Sequence, residues 1–203
     1  MNSSKFCVIH NAVDREKYRY SVQKREEIRG SMGITDQFVI GHVGNFCYQK
    51  NHYFLLDVFE EVHKKDPNTV LLLAGDGVRF EKVRQIVAEK NLEDVVKLLG
   101  RRSDTDYLYQ GMDAFLLPSN FEGLPIAGIE AQSAGLPCFM SDEITKESKI
   151  TEACYFIPLK SGAKYWAEEI LDNRMERQSA EFLDNAEQYD LANQDQELKS
   201  LIR

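Results

Sequence analysis

The chain has no apolar run long enough to cross a bilayer; runs such as 70–74 and 114–117 are strand-length, well short of the ~20 residues a spanning helix needs. It has no CxxC pair: Cys7, Cys47, Cys138 and Cys154 are scattered, three of them among apolar neighbours, as expected of buried, reduced thiols in a cytoplasmic protein. A secretory leader is not expected either, because residues 1–6 lack a cationic stretch followed by a long apolar one. Nor is there a basic surplus, since 25 Lys and Arg stand against 33 Asp and Glu, which excludes the electrostatic footprint of a nucleic-acid binder. HExxH and Gly-x-Ser-x-Gly are missing, and Gly75-Asp76-Gly77 lacks the third glycine of a dinucleotide fingerprint. The histidines His10, His42, His52 and His63 show no ligand spacing and read as packing or surface residues.

What remains is an ordinary folded composition, 43% hydrophobic and 29% charged in 203 residues, enough for one well-buried domain and a short appendage. The charge is uneven. Residues 168–203 carry −6 of the net −8 and leave the body nearly neutral. Apolar, β-rich runs near 6–9, 38–43, 69–74, 95–99, 113–117, 137–140 and 154–157 alternate with longer amphipathic stretches, the pattern of parallel βαβ units. Helices are expected at about 21–31, 79–90, 104–111, 124–134 and 162–173. A further one after the second run has Phe54, Leu55, Val58, Phe59 and Val62 on one face, closing at Lys64-Lys65-Asp66-Pro67. The fold class is α/β, a Rossmann-like doubly wound parallel sheet over 1–174, followed over 175–203 by an acidic helical tail with helices at about 176–188 and 190–202. In such a sheet ligands bind at the carboxyl edge, in the loops from strand end to helix start.

Two of those loops carry the chemistry. After the 113–117 run, Pro118-Ser119-Asn120-Phe121-Glu122-Gly123-Leu124-Pro125 leads into a helix whose first turn, from about Gly123 to Pro125, offers free N–H groups and a positive dipole end to an anion. Glu122 at its mouth and Glu130 eight residues on are then roughly 12 Å apart along the axis. That is too far for a glycosidase pair, whose carboxyls lie ~5–9.5 Å apart. It suits two carboxylates accepting hydroxyls from the two ends of a nucleotide-sugar, with the diphosphate between them. After the 38–43 run, Gly44-Asn45-Phe46-Cys47-Tyr48-Gln49-Lys50 places a lysine at a helix start, against the dipole unless an anionic ligand faces it. Asn45 reads equally as a ligand or as a turn residue. Asp104-Thr105-Asp106 reads as a helix cap rather than as a metal motif.

FEGLPIAGIE at 121–130, with FLLPS before it and AQSAGLP after, resembles the carboxyl-terminal domain of the group 1 glycosyltransferases, the retaining GT-B enzymes. So do the opening Val8-Ile9-His10-Asn11-Ala12-Val13-Asp14, the glycine loop ending in Lys50, and Ala74-Gly75-Asp76-Gly77. The resemblance implies a nucleotide-sugar donor, UDP-linked, with no cofactor and no bound metal. It gives Glu130 the ribose hydroxyls, Glu122 the donor sugar, and the Gly123 and Leu124 amides the sugar and diphosphate. Lys50 takes the diphosphate and the leaving group, with Gly44 and Asn45 in the same loop, and the backbone at Arg101 reads the base. Lys50 and Glu122 are then the catalytic pair. Two departures stand out. Asn45 occupies the place where the family commonly has an arginine, and the family's amino-terminal acceptor domain is absent, so the acceptor side falls to that domain or to a partner chain.

The resemblance thus implies the donor half of a retaining hexosyltransferase, inactive in transfer by itself, serving synthesis of a polysaccharide or glycolipid. It implies a cytoplasmic setting, with the full enzyme at the cytoplasmic face of a membrane. The competing readings are a non-catalytic nucleotide-binding subunit that needs a partner chain, and a sugar-nucleotide epimerase of the same architecture.

Overall fold

The computed structural model describes residues 11–194. Six parallel strands form one sheet: β1 (Phe38–Val43), β2 (Thr69–Ala74), β3 (Val96–Gly100), β4 (Ala114–Leu117), β5 (Cys138–Ser141) and β6 (Cys154–Ile157), in the order β3-β2-β1-β4-β5-β6. The run expected near 6–9, with Cys7 and His10, lies outside the described residues. Helices α1 (Arg15–Tyr18) and α2 (Val22–Ser31) precede the sheet. Connecting the strands are α3 (His52–Lys65), α4 (Phe80–Glu89), α5 (Thr105–Gly111) and α6 (Ile126–Ser133), and α7 (Gly162–Asp172) follows β6.

Alternation along each strand divides the core into two layers. Val39, Leu72, Phe115, Leu117, Cys138 and Met140 pack under Ile28 of α2, Leu108 and Tyr109 of α5, and Ile129 and Ala131 of α6. Their neighbours Ile40, Leu71, Leu73, Leu116 and Phe139 pack under Leu55 and Phe59 of α3, Val83 and Val87 of α4, and Trp166 and Ile170 of α7. All six residues of β2 are buried, as a strand covered on both faces requires. At the amino end of the sheet Asp113 fastens α2 to it, accepting from Arg25 Nη2 (2.5 Å), Arg29 Nη1 (3.1 Å) and the Val39 amide (2.7 Å).

Past α7 the chain departs from expectation. The helix expected over 176–188 is an irregular, extended segment to Leu183 and then a 3-10 helix, Asp184–Tyr189. Favourable helix composition loses here to tertiary contacts. Leu183 N–H donates to the Ile150 carbonyl (2.9 Å), Thr151 and Phe182 form an antiparallel bridge, and Ala186 and Tyr189 are fully buried in the α2–α5–α6 layer. Thus the segment expected as an appended tail packs on the domain it follows. Of the helix expected over 190–202, residues 191–194 are helical and the remainder lies outside the described residues. No described helix is long and apolar enough to cross a membrane.

Candidate functional site

Strand order reverses between β1 and β4, so the helices that follow them, α3 and α6, lie on opposite faces of the sheet and the loops leading to them part at its carboxyl edge from a common switch point. Beside it, a cleft of about 440 Å³ opens over β1, β2 and β3. Gly44, Asn45, Gly75, Gly77, Arg101 and Thr105 line it. Its tightness explains its glycines. A Cβ on Gly75, where φ is +139°, would sit 1.9 Å from the Gly44 carbonyl oxygen, and one on Gly77 would sit 2.3 Å from Asn45 Oδ1. Asn45 and Arg101 are exposed at its rim, and Arg102, which also lines it, forms a bidentate pair with Asp104 (2.8 and 2.6 Å). Asp104 does stand at the start of α5, but its carboxylate holds Arg102 instead of capping the helix.

Lys50 and Glu122, 72 positions apart, meet: Nζ donates to Oε1 at 2.5 Å, and both side chains are nearly buried. The two loops are sewn together around them. The Asn120 amide donates to the Gln49 carbonyl (2.8 Å) and its side chain to the Tyr48 carbonyl (2.7 Å). Ser119 Oγ donates to Glu122 Oε2 (3.0 Å), while Ser141 Oγ donates to the Ser119 carbonyl (2.5 Å). Glu122 is not in the helix. Residues 121–124 form a turn, α6 starts at Ile126 with Pro125 as its cap, and Glu122 forms a bridge with Ile144 of the loop after β5. The axial spacing expected for Glu122 and Glu130 therefore does not apply. Pro125 supplies no capping side chain to the first amides of α6, those of Ile126 and Ala127. Gly123 is exposed, and Leu124 packs against the core with its backbone in the same turn.

Glu130 lies in the body of α6, gripped by two phenols. Tyr18 Oη donates to Oε1 (2.7 Å) and Tyr109 Oη to Oε2 (2.9 Å). Burial and the adjacent carboxylate raise both tyrosines above their ordinary range. Beneath the Gly44–Lys50 loop are two histidines that the sequence marks only as packing or surface residues. His42 and His52 are fully buried with ring centroids 4.8 Å apart, and His52 stacks on Phe46 at 4.0 Å. His42 Nδ1 contacts the Leu116 carbonyl (2.9 Å); its Nε2 and both His52 nitrogens lack a partner among the described residues. Burial, with Lys50 nearby, holds His42 well below its ordinary value and His52 down to about 4. Burial likewise pushes the free thiols of Cys138 and Cys154 up, the latter to about 12. Among the described residues no group of three or more His, Cys, Asp or Glu is placed to hold a metal ion.

The family model for glycosyl transferases group 1 matches residues 24–189. The chain belongs to the group 1 glycosyltransferases. EpsF of Bacillus subtilis, named as a glycosyltransferase, is 34% identical over 148 residues, 72% of this chain and 38% of EpsF. An Escherichia coli UDP-Gal:alpha-D-GlcNAc-diphosphoundecaprenol alpha-1,3-galactosyltransferase is 33% identical over 142 residues, 68% of this chain and 37% of that enzyme. Among solved structures, Anabaena HepE in complex with UDP and glucose superposes with a TM-score of 0.81 at 21% identity, covering 97% of this chain and 56% of HepE. The chain thus spans under two fifths of those curated relatives, and its fold is one Rossmann-like half of the GT-B architecture.

Proposed function

We propose that the chain is the donor-binding half of a retaining glycosyltransferase, taking a UDP-sugar and delivering the sugar to a polysaccharide or glycolipid acceptor held by another domain or a partner chain. The observation that carries this is the Lys50–Glu122 pair, a cation and a hydroxyl acceptor set together at the strand-order reversal beside the Gly44–Gly75–Arg101 cleft. The complexes of HepE with UDP and glucose and the UDP-Gal substrate named for the Escherichia coli relative support the choice of donor.

In this reading the donor breaks the ion pair. Lys50 turns to the diphosphate, Glu122 accepts from the sugar hydroxyls, and the Gly123 and Leu124 amides hold the sugar and diphosphate. Gly44 and Asn45 flank the diphosphate, Glu130 takes the ribose hydroxyls, and the backbone at Arg101 reads the base. As the bond from the anomeric carbon to the diphosphate breaks, the departing charge is met by Lys50 and the amino end of α6, and the acceptor oxygen bonds to the anomeric carbon from the same face while its proton passes to the departing phosphate oxygen. Preorganised stabilisation of developing charge is usually the largest catalytic contribution, and here it requires no metal. The setting proposed is cytoplasmic, with the full enzyme at the inner membrane face.

Asn45 favours a second reading, a nucleotide-binding subunit without transfer activity, since an amide supplies neither charge nor a bidentate fork. Calorimetric titration with UDP, GDP and ADP tests both. Saturable binding of UDP, weakened by Lys50→Ala, supports a donor site. Failure of all three nucleotides to bind would sink it. Product formation on addition of the acceptor-binding half separates a transferase from a binding subunit.

A further inference from the structure

Glu130 is held from both sides, and the two holders come from distant parts of the chain. Tyr109 belongs to α5 and is fully buried. Tyr18 ends α1, a four-residue helix with little stability of its own, and packs edge-on against Tyr109 with ring centroids 5.7 Å apart. The end of the described chain fixes α1 in place. Val13 N–H donates to the Tyr189 carbonyl (2.9 Å), Leu191 N–H donates to the Val13 carbonyl (3.1 Å), and Arg15 grips Asp190 Oδ2 through Nε (2.8 Å) and Nη2 (2.5 Å). Thr105, which lines the cleft, lies beside the same Tyr18 phenol, so the clamp borders the proposed ligand site.

A carboxylate offers about four acceptor positions, and the two phenols use one on each oxygen. One position per oxygen remains, in a plane the phenols set and on a side chain that is only half-buried. Two vicinal hydroxyls, each donating once, match that pair. Such bonds to a charged acceptor are strong and directional. We propose that Tyr18 and Tyr109 are positioning residues that orient Glu130 for a cis-diol and so set the preference of the site for ribose over deoxyribose nucleotides. This rests on the reading of Glu130 as the ribose contact.

The test uses the full chain, with UDP and 2′-deoxy-UDP titrated into the wild type, Tyr18→Phe, Tyr109→Phe and Glu130→Gln. The expected result is that each phenylalanine variant loses about threefold to tenfold in affinity for UDP, one hydrogen bond's worth, and little for the deoxynucleotide. The ratio of the two affinities then falls toward one. An unchanged ratio in both phenylalanine variants, with Glu130→Gln lowering it, overturns the positioning role and leaves the ribose contact standing. Equal losses for both nucleotides also overturn it, because that marks a structural role. An unchanged ratio in Glu130→Gln overturns the ribose reading and the proposal together. If circular dichroism shows Tyr109→Phe unfolded, Tyr18→Phe decides, since its phenol is held at the edge of the core.

Discussion

Lys50 Nζ and Glu122 Oε1 lie 2.5 Å apart, with only 12% and 10% of their side chains exposed, and they join loops that follow two different strands. An ion pair this far out of water gains Coulomb energy but has lost hydration on both groups. Its value as a structural contact is modest. Its value as a site is that either partner, released, is a poised charge without solvent, ready for a ligand of opposite sign or for sugar hydroxyls.

The first prediction follows from that asymmetry. Lys50→Met leaves the Glu122 carboxylate nearly buried with only the Ser119 hydroxyl on it, and is expected to cost about 3 kcal/mol. Lys50→Met combined with Glu122→Gln removes both charges, and should recover most of that loss. Urea unfolding of the two variants and the wild type checks it. Equal destabilisation of single and double variants would show that the pair is not coupled.

Asn45 yields the second. It is exposed at the cleft rim, its Oδ1 lying against Gly77, and it supplies no charge. Under the donor-site reading, Asn45→Arg adds a second cation beside Lys50 and should tighten UDP binding by roughly tenfold at low salt, the scale of one charge-assisted hydrogen bond. The gain should shrink as ionic strength rises, because an exposed charge is screened. Titrations at 20 mM and 500 mM salt, chosen as conditions on either side of physiological strength, read this out.

The strands and most helices were legible because a doubly covered parallel sheet writes continuous apolar runs, such as 69–74, between amphipathic ones. Lys50 and Glu122 were legible as candidates because each stands in a loop at a strand's carboxyl end. Their contact with each other was not, since it depends on the β1–β4 adjacency. The Tyr18–Glu130–Tyr109 clamp left no signal, because Tyr18 reaches across 112 positions from a short polar helix. The segment after α7 misled for a related reason. Residues such as Glu181 and Glu187 favour helix locally, but burial of Ala186 and Tyr189 outweighs that preference. Helix α6 begins later than expected because residues 121–124 are held in a turn by the loops on either side.

Two glycines of the site should respond oppositely to alanine, which is the third prediction. At Gly75 a methyl group would collide with the Gly44 carbonyl at 1.9 Å, in a backbone conformation that side chains rarely adopt. Gly75→Ala is expected to cost about 1–3 kcal/mol and to displace the Gly44 loop, abolishing UDP binding with it. At Gly123 a Cβ meets nothing within 4 Å. Gly123→Ala should therefore stay within about 0.5 kcal/mol of wild-type stability. Thermal melts of the two variants side by side would contradict the packing described if Gly75→Ala melted with the wild type.

The fourth prediction concerns acid. His52 is neutral in the fold, its pKa lowered to about 4 by burial first and then by Lys50 and Arg79, and His42 is lowered by burial, by His52 and by Lys50. In the unfolded chain both return to the ordinary histidine value near 6.5. Between about 4 and 6.5 the unfolded state therefore binds more protons than the folded one, so stability rises with pH across that window. The contribution is fully present above about pH 6.5 and is lost as pH falls toward 4, by roughly 2 to 3 kcal/mol for His52 alone at pH 4.5. His52→Phe keeps the stacking surface against Phe46 and removes the titrating group. Urea unfolding at pH 7.5 and pH 4.5 should then show a smaller pH-dependent loss in His52→Phe than in the wild type, even though carboxylates paired with lysine or arginine, such as Glu60 and Asp66, lose stability with acid in both. An identical loss in the two proteins would mean that His52 is protonated in the fold, and that Lys50 and Arg79 do not oppose its charge.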